Sequence, residues 1–279
     1  MLLPLFDNNP TRRWPVVTIL LILINAAIHF FVAQMSDQEV RTFYAHWGFV
    51  PQRIDQLSDP DLVVKVPVQS EEEPVDEERA EEAENQPEQV VELKADSAAI
   101  IATLFTTMFL HGSWLHLLAN MWMLWIFGNN IEDRLGHLIY ILFYVLCGLL
   151  ATACHGFVDA HSPVPVVGAS GAIAGILGGY AITYPTARVK TIVFLGFIFF
   201  LADIPAMIVL GLWFVMEFVQ LHAQLLDPQV GGIAFAAHVG GFVAGLLLMP
   251  LFAMGTPDPG AHWEDEIEEA FGGSRPITR

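Results

Sequence analysis

The sequence predicts an all-α polytopic membrane protein: a bundle of six transmembrane helices with a large first external loop. Three observations carry that expectation. The 279 residues are 54% hydrophobic and only 15% charged, with a mean hydropathy of +0.51, more apolar surface than a soluble domain can cover. Long apolar runs occur at Trp14–Gln34, Trp114–Ile131, Leu138–Val158, Ile204–Leu221 and Ile233–Met254, with a shorter one after Ser170; about 20 such residues cross a hydrocarbon core. The formal charge of -18 is concentrated in Gln69–Asp96 and Glu264–Glu269, outside those runs. The excess of acid excludes a nucleic-acid partner, which needs clustered Lys and Arg.

Residues 1–13 read as a cytoplasmic N-terminus, because Arg12-Arg13 precede the first run and basic residues stay on the cytoplasmic side. Residues 14–34 form the first transmembrane helix. The run is longer than the apolar part of a secretory signal, and no small-x-small cleavage site follows it. Residues 35–113 form the external loop. In it, Ser36–Val66 suggests a structured surface loop or short interfacial helices, with Tyr44 and Trp47 suited to the headgroup level. An acidic insertion over about 69–96 is too polar to order itself. Ala98–Leu110 is expected to be a shallow hairpin or interfacial segment.

Residues 114–254 hold transmembrane helices two to six. The second closes on the polar stretch Glu132–His137, where Glu132 and Arg134 are expected to pair with neighbouring helix ends. Cys147 and Cys154 lie seven apart in the third, too far along the axis to bridge each other, and read as structural thiols. The fourth runs from Ser170 to Tyr184-Pro185, roughly 20 Å at the helical rise. Thr191–Leu201 reads as a re-entrant or interfacial piece, with Asp203 capping the fifth span and Glu217 late within that span. An intramembrane carboxyl is a functional candidate, and structural pairing is an equal reading. Residues 255–279 read as an acidic cytoplasmic tail.

With the N-terminus inside, the second, fourth and sixth spans all begin on the outer side. His116 and Asn120 then lie in the first turns of the second span, Ser170 begins the fourth, and His238 lies near the start of the sixth. All four share one depth. A helix too short to span starts below the membrane surface, so free amides and the positive end of the helix dipole surround the Ser170 hydroxyl. His116 and Asn120, four apart, project from one face. Gly171, Gly175 and Gly179 repeat at four, and Gly241 and Gly245 share the face of His238. Such small-residue stripes let two helix backbones approach closely, and close approach of spans four and six brings His238 to Ser170. Individually these are packing or capping residues. Buried together at one level, they must satisfy one another or line a wet cavity.

At Gly168-Ala169-Ser170-Gly171, His116-x-x-x-Asn120, Glu132-x-Arg134 and Ala237-His238-x-x-Gly241 the chain resembles the rhomboid intramembrane serine proteases, bacterial type. Asn9-Pro10-Thr11-Arg12-Arg13 and Trp47-Gly48-Phe49-Val50-Pro51 add to the resemblance. It implies a six-helix fold and a serine endopeptidase that cuts transmembrane segments near the outer membrane face. It implies Ser170 as nucleophile and His238 as general base, a dyad with no third acidic residue. His116, Asn120 and the Ser170 backbone N–H would form the oxyanion hole, and Gly168, Gly171, Gly175, Gly241 and Gly245 would pack the site. The alternative is a catalytically inactive relative that binds membrane proteins.

The expected partners are transmembrane protein substrates and the lipid bilayer of a cell membrane, the bacterial inner membrane, with both termini cytoplasmic. No cofactor and no metal is expected, since His111 and His116 are not in a His-Glu-x-x-His frame. A transporter reading lacks an internal repeat. The chain departs from the family pattern at Ala174, where an aromatic residue often stacks on the base, and at Ala102-Thr103, where a Trp-Arg pair is frequent.

Overall fold

The computed structural model describes residues 2–67, 90–226 and 234–254. Its elements are β1 (Leu2–Asp7), α1 (Val16–Val32), α2 (Asp37–Trp47), a 3-10 stretch (Pro51–Leu57), β2 (Val64–Pro67), β3 (Val90–Leu93), α3 (Ser97–Thr106), α4 (Trp114–Met123), α5 (Asn129–Leu135), α6 (His137–Val158), α7 (Ser170–Thr183), β4 (Arg188–Leu195), β5 (Ile198–Pro205), α8 (Ala206–Leu226) and α9 (Phe235–Phe252). The α6, α8 and α9 helices are each long and apolar enough to cross a membrane. A fourth candidate is α3 with the rod α4–α5, bent by 78° at its break, while α1 and α7 are shorter apolar helices. The molecule is thus a mostly helical, multi-pass membrane protein.

The strands correct the all-α expectation. Thr191–Leu201 is not a re-entrant piece. It lies in the antiparallel β4–β5 hairpin, turned at Gly196 with φ +62°, and β1 adds to the β4 edge. The run is rich in β-branched and aromatic residues, which suit a pleated surface. Asp203 does not cap α8. It faces Lys190 across the hairpin, at 2.8 Å, and the first amides of α8, those of Ala206 and Met207, donate to the carbonyls of Ala187 and Pro185.

Residues 35–113 need two further corrections. Ala98–Leu110 is helical: Asp96 accepts from the amides of Ala98 and Ala99 at the start of α3, and a 3-10 turn, Thr107–Phe109, follows. The acidic insertion stops short of 96, because Val90–Leu93 pairs with β2. The rest of that insertion and the C-terminal tail lie outside the described residues.

The second apolar run extends past Ile131. A π-turn at Leu124–Gly128 joins α4 to α5, so Glu132 is helical and buried. Glu132 caps α1, accepting from the amides of Val17 and Thr18 (2.8 Å each) and from the Thr18 hydroxyl (2.7 Å). A carboxylate at a helix N-terminus meets orphan amides and the positive dipole end. Arg134 differs: its Nε and Nη1 have no hydrogen-bond partner among the described residues.

The core is organised around α7, buried without interruption from Gly171 to Ala181. A helix enclosed on every side has no use for a polar face, and this one is apolar all round. Its 14 residues span about 21 Å, short of a hydrocarbon core. It can be enclosed because it is thin. A Cβ on Gly241 would strike the carbonyl of Gly171, and one on Gly245 the carbonyl of Gly175, so α7 and α9 touch backbone to backbone. On the α6 side, a Cβ on Gly171 would lie 2.6 Å from that of Ala151.

Candidate active site

The segment before Ser170 is pinned before the helix begins. Val166 forms an antiparallel bridge with Phe49, and the Gly168 amide donates to the Thr107 carbonyl (3.0 Å). Gly168 sits at φ +141°, a conformation open to glycine and strained for other residues. A Cβ there would lie 3.0 Å from Nε2 of His116 and 3.3 Å from Oγ of Ser170. Gly168 therefore turns the chain and leaves room where an imidazole and a hydroxyl converge.

Ser170 is the first residue of α7. By helix geometry its amide and those of Gly171 and Ala172 have no intrahelical acceptor. Its Oγ lies 2.8 Å from Nε2 of His238, in the first turn of α9. The glycine contacts between α7 and α9 make this distance possible. The other imidazole nitrogen, Nδ1, lies 2.7 Å from Oε2 of Glu217 on α8. Both side chains of that pair are mostly buried, 13% and 14% exposed. The serine–histidine pair expected to stand alone thus has a carboxyl group against its far side.

Two aromatic rings flank His238: Trp213, with centroids 6.2 Å apart, and Phe235, edge-on at 6.4 Å. Trp213 and Glu217 are four apart on α8, so one helix face presents both to the imidazole. The spacing was visible in the sequence. Which helix that face would meet was not.

His116 and Asn120 lie on α4, whose N-cap Ser113 accepts from the His116 amide (3.1 Å). The His116 ring meets that of His111 edge-on at 5.1 Å. Asn120 is buried, and its Nδ2 has no hydrogen-bond partner among the described residues. Both face a cavity of about 520 Å³, also lined by Ser170, Glu217, His238 and Trp213. Of the residues expected at the site, His116, Asn120, Ser170, His238, Gly168 and Gly171 line this cavity, while Gly175, Gly241 and Gly245 lie in the α7–α9 contact. A hydroxyl beside an imidazole, at a helix N-terminus, in a cavity lined by His116 and Asn120, has the groups for attack on a carbonyl carbon and for holding the resulting oxyanion.

Residues 99–255, more than half of the chain, match the family described as Rhomboid domain. The chain is 28% identical over 160 residues to "Rhomboid protein 1, mitochondrial" of Saccharomyces cerevisiae, covering 56% of this chain and 43% of that one. It is 37% identical over 75 residues to "RHOMBOID-like protein 5" of Arabidopsis thaliana, covering 27% and 24% respectively. Each match spans less than half of the relative's length. A match across the helices that carry the pocket, from α3 to the end of α9, makes this chain a member of the rhomboid family.

Proposed function

We propose that the protein is an intramembrane serine endopeptidase that hydrolyses peptide bonds in transmembrane segments near the outer membrane face. The observation that carries this reading is the 2.8 Å contact between Ser170 Oγ and His238 Nε2 inside an apolar bundle. Ser170 Oγ attacks the scissile carbonyl carbon as its proton passes to Nε2 of His238. The oxyanion is held by the side chains of His116 and Asn120 and by the Ser170 amide. Collapse breaks the C–N bond, and the leaving amine takes the proton from His238. Water then attacks the acyl ester, gives its proton to Nε2 and frees Ser170. That Nδ2 of Asn120 has no hydrogen-bond partner among the described residues supports its part as an oxyanion donor.

In this reading α1, the rod α4–α5, α6, α7, α8 and α9 cross in alternation, with both termini cytoplasmic. Two pairings support it. Parity puts the N-terminus and the α7–α8 connection on one side, and β1 pairs with β4. Parity puts the α1–α3 loop and the α6–α7 connection on the other, and Phe49 pairs with Val166. The test is labelling of the detergent-purified chain by a fluorophosphonate probe, with cleavage of a reporter transmembrane segment. Both are expected to vanish in Ser170→Ala, and labelling that persists in that variant would remove the assignment.

A further inference from the structure

We propose that Glu217 is a positioning residue for His238, so that the site works as a serine–histidine–glutamate relay rather than a pair; this rests on the protease reading above. Glu217 is the only Asp, Glu, Lys or Arg in α8. A charged group within a span is costly unless it has a partner. Its partner is Nδ1 of His238, at 2.7 Å.

A neutral imidazole carries one N–H, and an ionised carboxylate only accepts. The Glu217 contact therefore keeps the proton on Nδ1 and leaves the Nε2 lone pair facing the Ser170 hydroxyl, at 2.8 Å. That is the tautomer a general base requires. When Nε2 takes the proton from Ser170, the Nδ1–H bond stays intact, and the imidazolium so formed faces a carboxylate in a poorly screened site. Returning that proton to the leaving amine restores the starting state, so Glu217 neither gains nor loses a proton in the cycle. The flanking rings of Trp213 and Phe235 restrict the imidazole's tilt but cannot choose between its tautomers.

The experiment uses the full chain in detergent, a reporter transmembrane segment and the variants Glu217→Gln and Glu217→Asp. Glu217→Gln is expected to lower kcat about 100-fold with KM and the unfolding midpoint little changed, because the amide keeps the shape and loses the charge. Glu217→Asp is expected to recover most of that loss. The role is overturned if Glu217→Gln cleaves with the wild-type kcat, or if its kcat falls only in proportion to the folded fraction. Should Glu217→Gln fail to fold, 15N spectra of histidine-labelled wild-type protein decide, with His238 assigned by its loss in His238→Asn. A protonated Nδ1 is expected, and a protonated Nε2 overturns the role. Wild-type chain that neither cleaves nor labels at Ser170 would remove the protease reading itself. Wild-type cleavage with an undiminished Glu217→Gln would remove the relay alone.

Discussion

Replacing Gly245 with alanine tests whether backbone contact between α7 and α9 sets the chemistry. An added Cβ would lie 2.6 Å from the carbonyl carbon of Gly175 and 2.8 Å from its Cα. Carbon atoms rest at about 3.5–4.0 Å, and no flexible side chain stands in the way to yield. The helices must therefore part by about 1 Å at that level. Gly245 lies two turns from His238 on α9. If α9 moves as a rigid rod, the 2.8 Å contact between Ser170 and His238 opens to about 3.8 Å, outside hydrogen-bond range. A misplacement of that size costs about 100-fold in rate, and overpacking costs about 1–3 kcal/mol in stability. The assay is kcat/KM on a reporter transmembrane segment, with thermal unfolding in the same detergent. Gly211→Ala on α8 is the control, since a Cβ there meets nothing within 4 Å. If Gly245→Ala cleaves within threefold of wild type, close packing of α7 and α9 does not set the site.

Asn120→Ala is expected to lower kcat by about 100- to 1000-fold with KM nearly unchanged, the loss of one oxyanion donor, read by steady-state kinetics. Glu132→Gln removes the charged cap of α1 and weakens three hydrogen bonds, which should cost about 1–3 kcal/mol in unfolding free energy and leave the kcat of folded protein intact. Asp7 accepts from Tyr180 (2.6 Å) and Asn130 (2.7 Å), and burial raises its pKa to about 6 from 3.8. The folded state therefore binds this proton more tightly than the unfolded state, so stability falls as pH rises from about 4 to about 6, by about 3 kcal/mol. Denaturant titrations across that range should show the slope in wild type and lose it in Asp7→Asn.

The helical part of the fold was legible because lipid imposes a simple rule: a crossing segment must be long, apolar and internally hydrogen-bonded. Ser170 at the head of a short helix followed from the glycines on either side of it, Gly168 and Gly171, and from Tyr184-Pro185 after it. The β4–β5 hairpin was not legible, because Thr191–Leu201 is apolar on successive residues and lacks the alternation that marks a half-buried strand. Asp203 reads equally well as a helix cap or as a cross-strand partner, and only the pairing with Lys190 decides between them. The helical α3 was hidden for a related reason: Ala98–Leu110 is too short to span and mixes helix and strand formers.

By itself the sequence determined where the polar side chains His116, Asn120, Ser170 and His238 fall along their helices. Local spacing and the apolar runs suffice for that, and both are properties of contiguous residues. Only the tertiary structure decided which faces meet. The glycine stripes predict close approach by some helix, but the face of α8 that carries Trp213 and Glu217 has no periodic signal naming α9 as its neighbour. The contact between Glu217 and His238 joins helices linked by a connection whose length and course the two helical patterns leave open. A carboxyl group alone in an apolar run is a cost in search of a partner, and the partner is chosen by packing, which no single helix contains.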